Sequence, residues 1–197
     1  LIFVAYNALY INYECNERNK MIKVIDDFAN IQEQLELIDW IKRECTGHTF
    51  YTTSSYIKNF PTKNTIDYPQ FVNIIFGENK IYRPFLFPYV YSLLHINKLS
   101  NKFIQRIKIN TTFPYPKNNK DMYGPIHIDN TSKKSISIIY YLNNSDGDTL
   151  FFDEKLNIIK RVSPRQGRAI VFDSNIKHTA CCPINSKYRQ VINFVLY

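Results

Sequence analysis

Cysteine is scarce in this chain, and its spacing suits neither disulfides nor metal. The 197 residues include four cysteines, and none of them belongs to a C-x-x-C pair or another zinc-like pattern. Cys181 and Cys182 are adjacent, so a bridge between them would be strained. We therefore expect reduced thiols and a cytoplasmic protein.

A long apolar run is also missing. Residues 1–11 are apolar, but they are too short to span a bilayer and lack the preceding basic residues of a signal peptide. With 45% hydrophobic and 21% charged residues, the composition indicates neither disorder nor a membrane protein. Residues 1–20 are either an upstream extension or an extra strand, and residues 21–197 are expected to form one domain.

Clusters of basic residues are absent as well, although the net charge is +8. The lysines and arginines are scattered and are not interleaved with exposed aromatic residues in the manner of a nucleic-acid-binding surface. This pattern favours a role of the charge in solubility. An acidic or nucleic-acid partner stays open as the alternative.

Histidine is rare too, and two of the four histidines lie in a suggestive arrangement. His127 and Asp129 are two residues apart, so their side chains share a face of an extended backbone. His178 follows Asp129 by 49 residues. Two imidazoles and a carboxylate on one face of a metal are typical of non-haem Fe(II) oxygenases. An H-x-D pair alone occurs by chance in many surface loops, so its weight depends on the residues that follow.

An arginine and two alternating strands follow. Arg189 lies 11 residues after His178, where a fixed guanidinium could hold a dicarboxylate through two parallel hydrogen bonds. From Arg189 onward, Val191 and Asn193 share its face, and apolar residues occupy the other face. Residues 135–142 alternate in the same way. The pattern predicts strands with one face toward a cavity and one toward a core.

The remaining patterns predict a mainly β fold braced by helices. An apolar stripe that includes Ile31, Leu35 and Ile38 predicts a helix over residues 30–44, and a second helix is expected from about Pro84 to Asn97. His95, in the second helix, is expected to be a core or edge residue. These two helices precede about eight short strands at regular spacing. Their order predicts a double-stranded β-helix, or jelly roll, in which the helices brace the larger sheet.

The order of these motifs resembles a known enzyme family. H-x-D is followed by Tyr-Tyr-Leu-Asn at 140–143, by Gly-Asp-Thr-Leu at 147–150, and then by His178 and Arg189. This order resembles the iron(II)/2-oxoglutarate-dependent oxygenases of the prolyl-hydroxylase-like branch, most nearly the short members encoded by phages. The resemblance implies Fe(II) held by His127, Asp129 and His178, with 2-oxoglutarate and O2 as co-substrates. A viral origin would make the location the host cytoplasm.

The same resemblance suggests further roles. Arg189, helped by the Tyr141 hydroxyl, would hold the distal carboxylate of 2-oxoglutarate. Asn110 is either a polar contact of the co-substrate or a turn residue at a strand end. Tyr123 either hydrogen-bonds the co-substrate or packs at the cavity mouth. Two polar, Pro-containing loops, 52–68 and 111–121, are either a lid or passive connections.

Three functions are compatible with these observations. The first is hydroxylation of a protein or peptide side chain with release of succinate and CO2, and the second is oxidation of a nucleobase or small metabolite. The third is a jelly-roll module that binds metal without turnover, against which the intact ligands and Arg189 argue. Because Asp129 occupies the third ligand position, hydroxylation, or demethylation through hydroxylation, is favoured over halogenation. Fold and ligands alone do not identify the substrate.

Overall fold

The computed structural model describes residues 21–44, 49–52, 60, 62–116 and 119–197. The predicted extension over residues 1–20 lies outside the described residues. The described elements are β1 (Ile22–Ile25), α1 (Ile31–Glu44), β2 (Thr49–Thr52), β3 (Pro69–Gly77), β4 (Lys80–Ile81), α2 (Phe87–Ile96), β5 (Ile104–Thr112), β6 (Ile136–Tyr141), β7 (Thr149–Phe152), β8 (Ile158–Val162), β9 (Ala169–Asp173), β10 (His178–Ala180) and β11 (Arg189–Leu196).

The strands form two antiparallel sheets. The larger has the order β1-β9-β6-β11-β5-β3-β2, with β4 paired to β3, and the smaller has the order β10-β7-β8. After β6 the chain enters the smaller sheet through the β7–β8 hairpin, returns to the larger sheet at β9, crosses again to β10 and returns at β11. This alternation between two facing sheets is a double-stranded β-helix, so the predicted fold class is confirmed.

Strand β6 shows why the helices lie where they do. Ile136, Ile138 and Tyr140 on one face belong to the same apolar cluster as Leu37 of α1 and Val90 of α2. The other face turns toward the interior of the barrel. The predicted bracing of the larger sheet by helices is thereby confirmed, since burial of this apolar face stabilises the contact.

The buried face of α1 matches the predicted one only in part. Ile31 and Leu35 are 64% and 53% exposed, whereas Ile41, from the same apolar stripe, and the flanking Leu37 are buried, together with Gln34. The Gln34 amide donates to the carbonyl of Ala29 at 2.9 Å. Because its amide is hydrogen-bonded, Gln34 can occupy a buried position, although the sequence pattern predicted that only apolar residues of this helix are buried.

Helix α2 begins close to the predicted residue, with Pro88 in its first turn. Its predicted apolar side is buried, including Leu86, Val90 and Leu94. His95 lies exposed in the last turn, which places it at the edge of the helix. Within the described residues, neither helix is long and apolar enough to cross a membrane.

The register between β5 and β11 sets the spacing of side chains inside the barrel. Alternate residues of a strand share a face, so residues paired across these two strands form successive rungs of the cavity wall. From one end of the cavity to the other, the rungs are Thr112 with Arg189, Asn110 with Val191, and Lys108 with Asn193. The first and third rungs are about 13 Å apart along the strand, at roughly 3.3 Å per residue.

Candidate metal centre and active-site cavity

Backbone hydrogen bonds hold His127 and His178 opposite each other. The amide of each residue donates to the carbonyl of the other, and both N···O distances are 2.9 Å. His178 begins β10 at the edge of the smaller sheet, so residue 127 extends that sheet by one bridge. The two imidazole centroids are 4.5 Å apart. Main-chain pairing therefore brings together two side chains that are 51 positions apart in the sequence.

Both imidazoles are held in the same tautomer. Nδ1–H of His127 donates to the carbonyl of Pro125 at 3.0 Å, and Nδ1–H of His178 donates to that of Ile176 at 2.9 Å. A carbonyl can only accept, so the proton of each neutral ring lies on Nδ1 and leaves the Nε2 lone pair available. Burial lowers the pKa of His127 to about 3, and burial also lowers the pKa of His178. Both rings are therefore neutral at pH 7, as metal binding requires.

Three donors hold the carboxylate of Asp129. Nη2 of Arg106 donates to Oδ1 at 2.9 Å, while Oδ2 accepts from the Ser137 hydroxyl at 2.7 Å and from the Asn193 amide at 3.3 Å. Burial opposes ionisation of this carboxyl, yet nearby His178 and Arg106 more than offset it and hold its pKa well below the usual range. Asp129 is therefore an oriented carboxylate at neutral pH.

The three side chains converge on one point. Nε2 of His178 lies 3.6 Å from Oδ2 of Asp129. One candidate ligand atom from each of His127, Asp129 and His178 lies within 4.8 Å of the others, a grouping that could hold a metal ion. Two neutral imidazoles and one carboxylate are the donor set typical of a non-haem Fe(II) centre with open coordination positions.

Arg189 lies at the other end of the same cavity. Its side chain is buried, with Nε donating to the carbonyl of Gly147 at 2.8 Å and Nη2 to Oγ1 of Thr149 at 2.9 Å. The guanidinium also stacks over the ring of Tyr141, with its central carbon 5.5 Å from the ring centroid. These contacts hold the guanidinium of Arg189 in a fixed orientation.

The cavity wall between Arg189 and the metal ligands contains polar atoms that lack partners. Oδ1 of Asn110 and Oγ1 of Thr112 are buried without a hydrogen bond among the described residues. Buried polar groups are ordinarily satisfied, so a polar ligand is the simplest partner for this stretch of wall. An acid anchored at Arg189 and reaching toward the metal would pass both side chains. The residues present therefore fit 2-oxoglutarate as well as the ion.

Comparison with known proteins agrees with this geometry. Residues 115–197 match the family model described as 2OG-Fe(II) oxygenase superfamily. The match covers 83 of the 197 residues and shows similarity of this segment to that superfamily. Its members use Fe(II), 2-oxoglutarate and O2, so the activity of the family is that of an oxidoreductase. A search of curated proteins found no match.

Solved structures of oxygenases share the fold at low identity. A 2OG-Fe(II) oxygenase family oxidoreductase from Burkholderia pseudomallei has a TM-score of 0.67 at 13% identity, covering 92% of this chain and 87% of its own. A prolyl-4-hydroxylase from Pseudomonas putida gives 0.57 at 13%, covering 90% and 92%. A prolyl hydroxylase from Trichoplax adhaerens, in complex with a hypoxia-inducible factor peptide fragment, gives 0.53 at 16%, covering 89% and 83%. These similarities show the fold.

Not every residue singled out from the sequence reaches the cavity. Asn110 lines it, but Tyr141 lies behind Arg189 and its hydroxyl contacts Oγ1 of Thr149 at 2.6 Å. The Tyr123 hydroxyl is 2.9 Å from that of Thr62, and its ring packs on Phe152. Tyr123 is therefore not among the lining residues, because these contacts hold it in a separate apolar cluster.

Four polar residues near the candidate metal centre and the cavity had no role assigned from the sequence. Arg106 and Ser137 hold Asp129, Thr149 supports Arg189, and the Tyr68 hydroxyl lines the cavity while donating to the carbonyl of Ala180 at 2.8 Å. For Arg106 the sequence did contain a signal, because Arg106 alternates with other polar residues along β5. For Thr149 and Tyr68 no local pattern points to the cavity.

Gly147 shows how closely the backbone packs around the anchoring arginine. A Cβ at this position would lie 2.6 Å from the carbonyl oxygen of Cys181 and 3.1 Å from Cδ of Arg189. The neighbour at 2.6 Å is backbone and cannot yield readily. Because Gly147 has no side chain, its carbonyl can approach the Arg189 guanidinium, which donates a hydrogen bond to it.

Proposed function

We propose that this chain is an Fe(II)- and 2-oxoglutarate-dependent dioxygenase that hydroxylates a protein or peptide side chain. The observation that carries the proposal is the convergence of His127, Asp129 and His178, with both imidazoles held so that Nε2 is free. Arg189 supports it as the anchor for the distal carboxylate. The prolyl-hydroxylase-like relationship, including the nearness to phage-encoded members, rests on the order of sequence motifs.

Each residue has a defined task in this proposal. His127, Asp129 and His178 would hold Fe(II), which together with 2-oxoglutarate and O2 supplies the oxidising power and yields succinate and CO2. Arg106, Ser137 and other donors keep the Asp129 carboxylate ionised and oriented. Arg189 would pair with the distal carboxylate, which would be expensive to bury unpaired. Asn110 would contact the co-substrate between the two ends.

We favour a peptide substrate over a nucleobase or metabolite because the order of the sequence motifs resembles the prolyl-hydroxylase-like branch. The structural neighbours do not decide between these substrates, since they include a prolyl hydroxylase bound to a peptide fragment and a carbocyclase from nogalamycin biosynthesis. A cytoplasmic location is a prediction from the cysteine pattern. Cys181 and Cys182 are buried and form no disulfide in the described part of the chain.

The test is a turnover and product screen with the Fe(II)-loaded protein. Succinate should form from 2-oxoglutarate in the presence of Fe(II) and O2, slowly without substrate and faster with a true substrate, which should gain the mass of one oxygen atom. An Asp129→Ala variant should form no succinate above background. Failure of the wild-type protein to bind 2-oxoglutarate in the presence of metal would overturn the proposal.

A further inference from the structure

Lys108 places a positive charge beside the candidate metal centre. It lines the cavity together with His127 and Asp129. Its cross-strand partner Asn193 donates to Asp129, so Lys108 lies on the rung at the metal end of the cavity. In the described part of the chain, Lys108 forms no hydrogen bond and no ion pair. This ammonium group has no role in metal binding or in the anchoring of 2-oxoglutarate at Arg189.

The charges around the cavity do not balance. Lys108 and Arg189 are the cations among its described lining residues, and Asp129 is the carboxylate. Asp129 is already paired with Arg106 at 2.9 Å. Binding of Fe(II) and 2-oxoglutarate adds two positive and two negative charges, so loading the site leaves the positive excess unchanged. A further anion would be favoured there, because opposite charges interact strongly where water is excluded.

The environment of Lys108 opposes its charge without removing it at neutral pH. Burial, followed by the nearby Arg106, lowers the pKa of Lys108 to about 8, while Asp129 acts in the opposite direction. The group is therefore mostly protonated at pH 7. A partly desolvated ammonium without a partner is unfavourable, and an incoming anion that pairs with it would relieve this penalty.

A surface cleft meets the cavity close to Lys108. It has a volume of about 480 Å³ and is lined by Ile74, Tyr82, Phe103 and Arg106, among others. Asp129 lines both the cleft and the cavity, and Ile74 is the strand partner of Lys108 on β3. Glu78, the other carboxylate of the cleft, is within hydrogen-bonding reach of the Tyr82 hydroxyl at 3.5 Å. A substrate lying in this cleft would approach the metal past Arg106 and Lys108.

We propose that Lys108 determines substrate specificity by binding an anionic side chain of the peptide substrate. The substrate class is then a peptide with a carboxylate or a phosphorylated side chain near the position that is oxidised. The inference rests on the proposed function and narrows it. Lys108 acts here as a binding residue for the substrate, separate from the residues that hold the metal and 2-oxoglutarate.

The experiment measures peptide binding to the loaded protein without turnover. Protein loaded with Fe(II) and saturated with 2-oxoglutarate under anaerobic conditions is titrated with capped Gly-Gly-Xaa-Gly-Gly peptides, and binding is followed by NMR or calorimetry. Xaa is Glu, Gln, phosphoserine or Ser, so each anionic peptide has a neutral counterpart. We expect the Glu or the phosphoserine peptide to bind about 10-fold more tightly than its counterpart, corresponding to about 1.4 kcal/mol. The favoured pair identifies the anionic group.

Three variants separate the role of Lys108 from general charge effects. K108M should remove the preference for the anionic peptide, and K108R should retain most of it. K133M, at an exposed lysine, carries the same change in net charge and should behave like the wild type. Equal binding of anionic and neutral peptides to the wild type, or an unchanged preference in K108M, would overturn the inference.

The metal and 2-oxoglutarate affinities are measured first, which separates failure of this inference from failure of the proposed function. If the wild type binds neither, the proposed function is wrong. If both bind normally and the peptides do not discriminate, the inference about Lys108 is wrong and the oxygenase assignment stands. A loss of 2-oxoglutarate affinity of 10-fold or more in K108M would place Lys108 in the co-substrate site and would also overturn the inference.

Discussion

Replacement of Arg189 by alanine should strongly weaken 2-oxoglutarate binding. The guanidinium is 3% exposed and would face the distal carboxylate in a cavity shielded from water. Truncating one partner of such a buried charge pair costs about 2–5 kcal/mol. The dissociation constant should therefore rise by roughly 30-fold to several thousand-fold. Metal binding should be nearly unchanged, because Arg189 lies about 13 Å along the strand from the rung that contacts Asp129.

The same substitution should also lower stability, for a separate reason. The carbonyl of Gly147 and the hydroxyl of Thr149 would each lose the donor that Arg189 provides. A buried acceptor without a partner costs about 1–3 kcal/mol. Arg189→Lys keeps the charge but not the fork, so it should fall between the wild type and Arg189→Ala in both properties. Tyr141→Phe removes the hydroxyl that contacts Thr149 behind the arginine. It should lower the free energy of unfolding by on the order of 1 kcal/mol.

Anaerobic calorimetric titration of 2-oxoglutarate into the Fe(II)-loaded proteins measures the affinities, and urea unfolding measures the stabilities. Metal content is determined on the same samples, so that a loss of co-substrate binding is not mistaken for a loss of metal. Unchanged 2-oxoglutarate affinity in folded, metal-loaded Arg189→Ala would refute the reasoning and would show that another residue anchors the acid.

Three further predictions concern the metal ligands and their surroundings. An Asp129→Ala/His178→Ala double variant should lose the bound ion, and full stoichiometry by elemental analysis would rule out the assignment. Ser137→Ala should weaken metal binding about 10-fold in a chelator competition, since outer partners of metal ligands typically contribute this much. Ser135→Ala should not, because the Ser135 hydroxyl donates to the backbone carbonyl of Leu196 and lies 3.1 Å from the Ser174 hydroxyl, without contacting Asp129. The metal-free protein should lose stability as the pH falls from about 6.5 toward 3, because the pKa of His127 is depressed to about 3 in the folded state and the unfolded chain binds the extra proton. This group contributes at most about 1.4 kcal/mol per pH unit, and urea unfolding at pH 7 and pH 5 should show a smaller change in His127→Asn than in the wild type.

The sequence predicted the parts of the site that depend on order and alternation. A period of two along β11 placed Arg189 and Asn193 on the inner face, and the structure has both in the cavity wall. The spacing of His127 and Asp129 with a later His178 predicted a cluster, and the three side chains do converge. Strand periodicity fixes which face a residue occupies, so the placement of the β11 side chains follows from the sequence, while the roles of these residues stay predictions.

The remaining features depend on contacts between segments whose relative register no local pattern encodes. Arg106 meets Asp129 only because β5 pairs with β11 in one particular register. Gln34 replaces an apolar residue in the core because its amide finds partners on the preceding turn and at Gln166, and α1 rotates accordingly. Tyr123 was assigned to the cavity mouth or the co-substrate from its place beside the metal motif, but its direction is set by packing against Phe152.

The paired backbones of His127 and His178 link metal loading to folding. A single bridge joins the segment at residue 127 to the edge strand of the smaller sheet, so an ion bound by both side chains would reinforce the closure of the barrel at that edge. Any ligand that binds only the folded state raises its stability by mass action. The thermal midpoint should therefore rise with the concentration of free divalent metal. Metal-free protein would then unfold more readily, and proteolysis would remove the unfolded chains.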